Sequence, residues 1–236
     1  MNASNLTGKL GIYQEQSTLP EGLELGQVKE FSDGRKFRLC KNGAVALAAG
    51  KLVVAPDLVT NHLGLTPTAA VSVGANEVTV TLGATLATAN QYHDGFLMVR
   101  SAGHSYKIKS HPAADASGTL KLTLYDDVQA AIAADATIDL VVNPYSGLLV
   151  SVNDQANVPR GVPLIAVTAS YYFWAQTKGP CATLTDGTPA QGSHVTIGAT
   201  TAGAVGVPDA DTEQIVGKMI KVGVNLKYNP VDLALD

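Results

Sequence analysis

Six short segments between residues 66 and 143 have the composition of strands and recur at intervals of about ten residues; 77–82 alternates cleanly between polar and apolar side chains, whereas 95–99 is apolar. They lie at 70–73, 77–82, 95–99, 105–109, 119–125 and 137–142. Because successive side chains of a strand point to opposite faces, an alternating segment such as 77–82 offers one apolar face and one face of Thr and Glu. Strands of this length and spacing predict a small β-barrel or sandwich.

The stretch 167–187 holds four adjacent aromatic residues, Tyr171 to Trp174, in a chain with one Trp, eight Tyr and four Phe. We predict a hairpin here, broken at 178–180 and ended by the Asp-Gly pair at 186–187. Tyr172 and Trp174 face opposite to Tyr171 and Phe173, so a neighbouring chain is a candidate cover for one side. The alternative is an exposed platform for sugar rings, since stacked aromatic side chains also bind carbohydrate.

The chain as a whole is predicted to be all-β with little helix, limited to a turn or two at 127–134. Residues 1–30, with scattered Gly and Pro, predict an extended N-terminal arm that Leu6, Leu10, Ile12 and Tyr13 anchor to another surface, or else a disordered terminus. Residues 31–65 and 148–236 predict a β-rich base domain, and 66–147 an inserted barrel or sandwich. The segments 217–226 and 228–235 are predicted strands, the last at a sheet edge or a subunit boundary.

The composition of the chain limits the kinds of molecule that it is expected to bind. The net charge is −4 without a concentrated basic run, which argues against nucleic acid. No apolar run approaches 18 residues and no apolar leader is visible at the N-terminus, which predicts synthesis in the cytoplasm and no membrane span. Charged residues are only 15% of the chain, a composition that suits a surface covered by neighbours. Cys40 and Cys181 are predicted to be buried, reduced thiols, with a disulfide between them as the alternative.

No constellation for catalysis, a cofactor or a metal is visible. The five His residues lack ligand spacing, although His93, Asp94 and His104 come closest to a cluster. There is no Gly-x-Ser-x-Gly elbow, and the Gly-rich stretch 198–206 lacks the Lys-Ser/Thr ending of a phosphate loop. The sequence therefore predicts a protein that is not an enzyme and carries no cofactor.

Several stretches resemble the capsid decoration, or head cement, proteins of tailed bacteriophages. The similar pieces occur in order at 34–38 with 43–52, at 94–99 with 106–110, at 142–147, at 171–180 and at 228–233. They include Tyr172-Phe173-Trp174 and the C-terminal Tyr228-Asn229-Pro230. The resemblance begins at residue 34 and does not cover the N-terminal arm.

The resemblance implies a virion protein on the outside of an icosahedral capsid, often a homotrimer, that cements neighbouring capsomers. Its partners would be the major capsid protein and its own copies. The expected capsid or subunit contacts are Leu6, Leu10, Ile12, Tyr13, Tyr172, Trp174, Tyr228, Val231 and Leu233. The alternative function is a phage-borne or secreted carbohydrate- or receptor-binding β module that uses exposed Tyr172 and Trp174. An enzyme is the third possibility and would need a site assembled from residues distant in sequence.

Overall fold

The computed structural model describes residues 11–152, 157–210 and 213–236. It is almost entirely β, which confirms the predicted all-β class. The chain divides into two compact units: a base unit, Met1–Pro56 with Tyr145–Asp236, and an inserted unit, Asp57–Pro144. The inserted unit begins nine residues earlier than the sequence boundary of 66, because residues before β5 complete its barrel.

The described residues form sixteen strands and a 3₁₀ turn at Thr60–His62. The strands are β1 Glu15–Gln16, β2 Val28–Glu30, β3 Lys36–Asn42, β4 Val53–Val54, β5 Glu77–Thr81, β6 Phe96–Val99, β7 His104–Ser110, β8 Thr119–Leu124, β9 Ile138–Val141, β10 Ser146–Val150, β11 Pro159–Pro163, β12 Tyr172–Leu184, β13 His194–Ile197, β14 Val205–Gly206, β15 Gly217–Met219 and β16 Tyr228–Ala234.

The inserted unit is a barrel whose strands run in the order β5-β8-β7-β6-β9. Leu65 bonds reciprocally with Ile138 of β9, and Pro67 forms a bridge with Val80 of β5, so this short segment closes the sheet. The inward side chains of every strand form one core, with Val78, Leu122 and Leu140 fully buried. Closure leaves no free sheet edge between β5 and β9.

The helix predicted at 127–134 is wrong. Ile132 is instead extended and buried, and it exchanges both backbone hydrogen bonds with Val71. The same pairing reduces the predicted strand at 70–73 to a single bridge. The helix propensity of the alanines is a weak preference, and burial of Ile132 against the barrel overrides it.

In the base unit, β12, β11, β4, β10 and β3 pair in a closed ring, with β3 and β10 parallel and the other neighbours antiparallel. Phe173, Cys40 and Leu148 are among the buried residues of its interior. The sheet continues from the second half of β12 through β16, β15 and β13 to β14. A second core lies along this extension and includes Val231 and Leu233.

The predicted hairpin at 167–187 is wrong, because residues 172–184 form a single strand. Gly179 adopts a φ of +85°, but its backbone bends the strand rather than reversing it. The buried amide of Gln176 donates to the carbonyls of Lys178, Gly179 and Pro180 at 3.0, 3.2 and 2.9 Å. These bonds satisfy carbonyl groups at the bend, where the pairing of β12 passes from β3 to β16.

The predicted alternation of the aromatic residues is confirmed, but the cover on the second side comes from this chain. Phe173 points into the barrel, whereas Trp174 packs on the other face with Leu23. β1 adds to β12 opposite Phe173, and the Lys29 amine lies 5.3 Å from the centre of the Trp174 ring. From residue 11 onward, the predicted arm therefore packs on this chain's own β12 and β3.

The C-terminal strand is also interior. β16 pairs with β12 on one side and with β15 on the other, so it does not lie at a sheet edge. The expectation that it docks at an edge or across a subunit boundary is wrong, because β15 occupies its second side.

Besides the Leu65–Ile138 bridge, three further reciprocal bridges occur among the described residues: Leu47 with Val167 in the base unit, and Val71 with Ile132 and Ala87 with Ala114 in the inserted unit. A tight turn follows most of these residues, and the third residue after the bridge often has a positive φ, as at Gly50, Asn90 and Ser170. Gly and small polar residues tolerate that conformation best. Each such bridge joins two segments through a pair of backbone hydrogen bonds without forming a full strand.

A candidate interaction surface on the base unit

The structure separates the predicted contact residues into buried and exposed groups. Trp174, Val231 and Leu233 are at most 2% exposed and belong to this chain's own cores. Tyr172 is half-buried, with the Lys41 amine 5.4 Å from its ring centre. The exposed Tyr172–Trp174 platform expected for carbohydrate binding is therefore absent, because Trp174 is enclosed.

The remaining predicted contact residues lie near the N-terminus or on β16. Tyr13 is 64% exposed and Tyr228 is 55% exposed. Ile12 packs partly against the Trp174 cluster. Leu6 and Leu10 lie outside the described residues. Of the predicted set, Tyr13 and Tyr228 are the described residues with large exposed side chains.

Tyr228 ends a run of exposed apolar residues that begins within the predicted strand 217–226. Ile220, Val222, Val224, Leu226 and Tyr228 occupy every second position and are 42–55% exposed. β15 ends at Met219, so most of the predicted strand 217–226 is a loop that leaves the sheet. We call these five residues the apolar ridge. Apolar side chains in alternation suggest a buried strand face, and only the structure shows that this face points to solvent.

Backbone hydrogen bonds hold the ridge to the body of the base unit. The Gly223 N–H donates to the Pro189 carbonyl at 2.8 Å, and a Cβ at residue 223 would lie 2.7 Å from the Pro189 ring. Leu226 donates to the Thr185 carbonyl at 2.9 Å, and Thr185 donates to the Lys227 carbonyl at 3.0 Å. The loop is thus pinned at its centre and at its end.

The buried side chain of Asn229 adds the closest set of contacts. Its amide donates to the carbonyls of Val224 and Lys227 and to the Thr185 hydroxyl, each at 3.0 Å. Its carbonyl oxygen accepts the Val224 N–H at 3.3 Å. A side chain that satisfies so many loop groups fixes the loop conformation. The exposure of the ridge is therefore a property of a well-bonded loop.

Leu226 adopts a φ of +56°, a conformation that costs a branched residue about 1 kcal/mol or more. Gly or Asn would fit this position with less strain. The loop instead keeps a large apolar side chain that is 55% exposed. Strain of this kind is common at functional positions, which makes the ridge a candidate contact surface.

An open apolar pocket of about 350 Å³ adjoins the ridge at Tyr228. Its other lining residues are Ala48, Ala49, Gly50, Leu164 and Ala182. Gly50 has a φ of +71°, and a Cβ there would lie 2.7 Å from the Tyr228 ring. The Tyr228 ring packs directly on the Gly50 backbone, so it forms a wall of the pocket as well as the end of the ridge.

The ridge segment itself carries only basic charges, and the exposed Asp232 of β16 pairs opposite Lys218 at its base. Residues 214–231 include Lys218, Lys221 and Lys227 and contain no Asp or Glu. The lysines at 221 and 227 alternate with ridge residues and are exposed. An apolar surface edged with ammonium groups matches an apolar partner surface edged with carboxylates.

The two thiols and the Asp94 carboxylate with its neighbours are other groups that could take part in a reaction. Burial raises the pKa of Cys40 to about 12 and that of Cys181 to about 11, so both thiols stay protonated at neutral pH. Both are free and buried, as predicted. Asp94 accepts a hydrogen bond from the Tyr125 hydroxyl at 2.9 Å and lies 3.1 Å from His93 Nδ1. Within the described ranges, no three His, Cys, Asp or Glu side chains group closely enough to hold a metal ion.

In the part of the chain that the structure describes, no helix has the length and hydrophobicity needed to cross a bilayer. The candidate interaction surface is a strained, well-bonded loop that presents apolar side chains beside a pocket. No family model, curated protein or solved structure matches this chain.

Proposed function

We propose that this chain is a non-enzymatic virion structural protein that binds the outside of an icosahedral phage capsid and cements neighbouring capsomers. The observation that carries the proposal is the apolar ridge. A well-bonded loop that holds five apolar side chains in solvent is a feature of proteins that assemble with other proteins. The ordered resemblance to capsid decoration proteins supplies the kind of assembly, and self-association as a homotrimer is part of the proposal.

The N-terminal segment is the proposed capsid contact. Tyr13 is 64% exposed and precedes β1, which already adds to β12 as a short edge strand. An apolar segment next to a sheet can bind a partner through backbone hydrogen bonds and a few side-chain pockets. Many copies on one shell would make weak individual contacts strong together.

The test is to mix the purified protein with undecorated, expanded capsids and to measure saturable co-sedimentation and the temperature of capsid rupture. We expect saturation at a fixed ratio to capsomers and a higher rupture temperature. Tyr13→Ser should weaken binding without a change in melting temperature. Val45→Ser, at a residue that is 69% exposed, is the matched control and should bind as the parent does. No saturable binding, or no gain in heat resistance, contradicts the proposal.

A further inference from the structure

The lysines of the apolar ridge constrain how two copies can meet. A two-fold contact of ridge on ridge would bring Lys221 and Lys227 of one copy toward the same lysines of the other. Like charges brought together at an interface disfavour association. A second copy must therefore present a different face to the ridge, one that is apolar and acidic.

The inserted unit carries such a face. Of the chain's 20 acidic and 16 basic residues, this unit holds eight acidic and four basic, so the base unit holds equal numbers and the net charge of −4 lies on the inserted unit. Asp126 and Asp127 are exposed next to Tyr125, which is 46% exposed. We call Val73, Tyr125, Asp126 and Asp127 the acidic end.

Val73 belongs to the acidic end because of its backbone neighbours. It is 62% exposed, and the next residue, Gly74, donates its N–H to the Val128 carbonyl at 2.9 Å. Val128 donates in turn to the Ala75 carbonyl at 2.7 Å, so the two segments are joined side by side. Two exposed apolar side chains and two carboxylates thus share one end of the barrel, where the Lys107 amine, paired with Asp94 at 3.4 Å, also lies 5.0 Å from the centre of the Tyr125 ring.

We propose that the apolar ridge of one copy binds the acidic end of a second copy. Lys221 and Lys227 would face Asp126 and Asp127 of the second copy, while ridge side chains cover its Val73 and Tyr125. A contact between two different faces repeats head to tail and closes into a ring when the rotation permits. The inference rests on the self-association in the proposed function and is independent of capsid binding.

The test uses the full chain in native mass spectrometry and sedimentation velocity. Lys221→Glu with Lys227→Glu, and Asp126→Lys with Asp127→Lys, should each weaken self-association ~100-fold, since like charges then meet. An equal mixture of the two variants should associate again, and one chain with all four changes should regain the parent's mass. Lys178→Glu, an exposed lysine outside both surfaces, is the control and should keep the parent's mass. Melting curves by circular dichroism check that each variant is folded.

Several outcomes would overturn this contact. They are a parent that is monomeric at every concentration, swapped variants that keep the parent's mass, and a mixture that stays monomeric. A ridge variant that loses binding to anionic vesicles while its mass is unchanged would show a membrane contact instead. If swapped variants keep their mass and still bind capsids, this contact is wrong and the capsid function stands. If the charge-swapped variants behave as expected but the protein does not bind capsids, the contact between copies stands and the capsid function is wrong.

Discussion

Three buried polar side chains, Gln176, Asn229 and His111, act mainly on backbone groups. Gln176 satisfies carbonyls at the bend of β12, and Asn229 fixes the loop of the apolar ridge. His111 Nε2 accepts the Tyr92 N–H at 2.9 Å, and Nδ1 lies 2.7 Å from the Pro112 carbonyl. Each stands where the backbone is irregular, so its loss would leave buried polar groups without partners. No local pattern distinguishes these residues from surface residues of the same type.

His111 predicts that acid destabilises the inserted unit. Burial lowers its folded-state pKa below the usual 6.5, with the Pro112 carbonyl acting in the opposite direction and nearby His62 and His93 adding to the decrease. The unfolded chain then binds a proton that the folded chain does not. The free energy of unfolding should be constant above pH ~7 and fall as the pH drops through 6.5 toward the folded pKa, by up to ~1.4 kcal/mol per pH unit.

Urea unfolding of the full chain between pH 5 and 8, read by circular dichroism, measures this dependence. His111→Gln should be less stable at neutral pH and show a shallower loss in acid. The exposed His104→Gln is the matched control and should follow the parent's curve. A parent whose stability rises as the pH falls through this range would contradict the assignment.

At the scale of elements, the apolar ridge is a loop built on β15 and β16 rather than a strand of its own. Its alternation of apolar residues would suit a buried face, but Gly223 is held against Pro189 and no strand covers the other side among the described residues. The loop therefore has an exposed apolar surface and a lower local stability than a covered strand would have, a combination that is common at functional sites.

Leu226→Asn should change stability and association in opposite directions. Asn tolerates a positive φ better than Leu, so the free energy of unfolding should rise by about 0.5–1 kcal/mol. The lost apolar side chain should weaken self-association at least ~10-fold. Val224→Asn removes a similarly exposed ridge side chain at a residue without a positive φ.

Urea unfolding and sedimentation velocity on the same samples separate the two effects. Val224→Asn should weaken association without a gain in stability. If Leu226→Asn is less stable than the parent, the ridge is not strained in the way the backbone indicates.

At the scale of the whole molecule, the chain consists of two units with separate cores. The core of the inserted unit is drawn from residues between Leu65 and Val142, and the base unit has its own buried clusters around β3, β12 and β16. The inserted unit is closed by its own residues 65–68. Its stability should therefore depend on its own sequence.

A fragment of residues 57–144 should fold by itself, with dispersed amide NMR signals and one cooperative thermal transition. A fragment of residues 69–144 is the matched control. It lacks the segment that joins β9 to β5, so two barrel edges would be open and folding should fail or yield aggregates. An unfolded 57–144 fragment would show that the inserted unit depends on the base unit.

Local alternation predicted much of the inserted unit. The segments 77–82, 119–125 and 137–142 became β5, β8 and β9 within one or two residues. Alternation succeeds there because each strand has one buried and one wet face. The Gly-Pro signal at 179–180 failed because pairing with the distant β3 and β16 keeps β12 extended through it.

The candidate surface was predicted only in part. Tyr228 was expected as a contact and is exposed, whereas Trp174, Val231 and Leu233 were expected at the same surface and lie in the core. Alternation in sequence thus determined the all-β class and the position of most strands, because side-chain direction in a strand depends on near neighbours. Which apolar face stays in solvent was decided only by the tertiary structure, because a face is covered by segments far away in the chain.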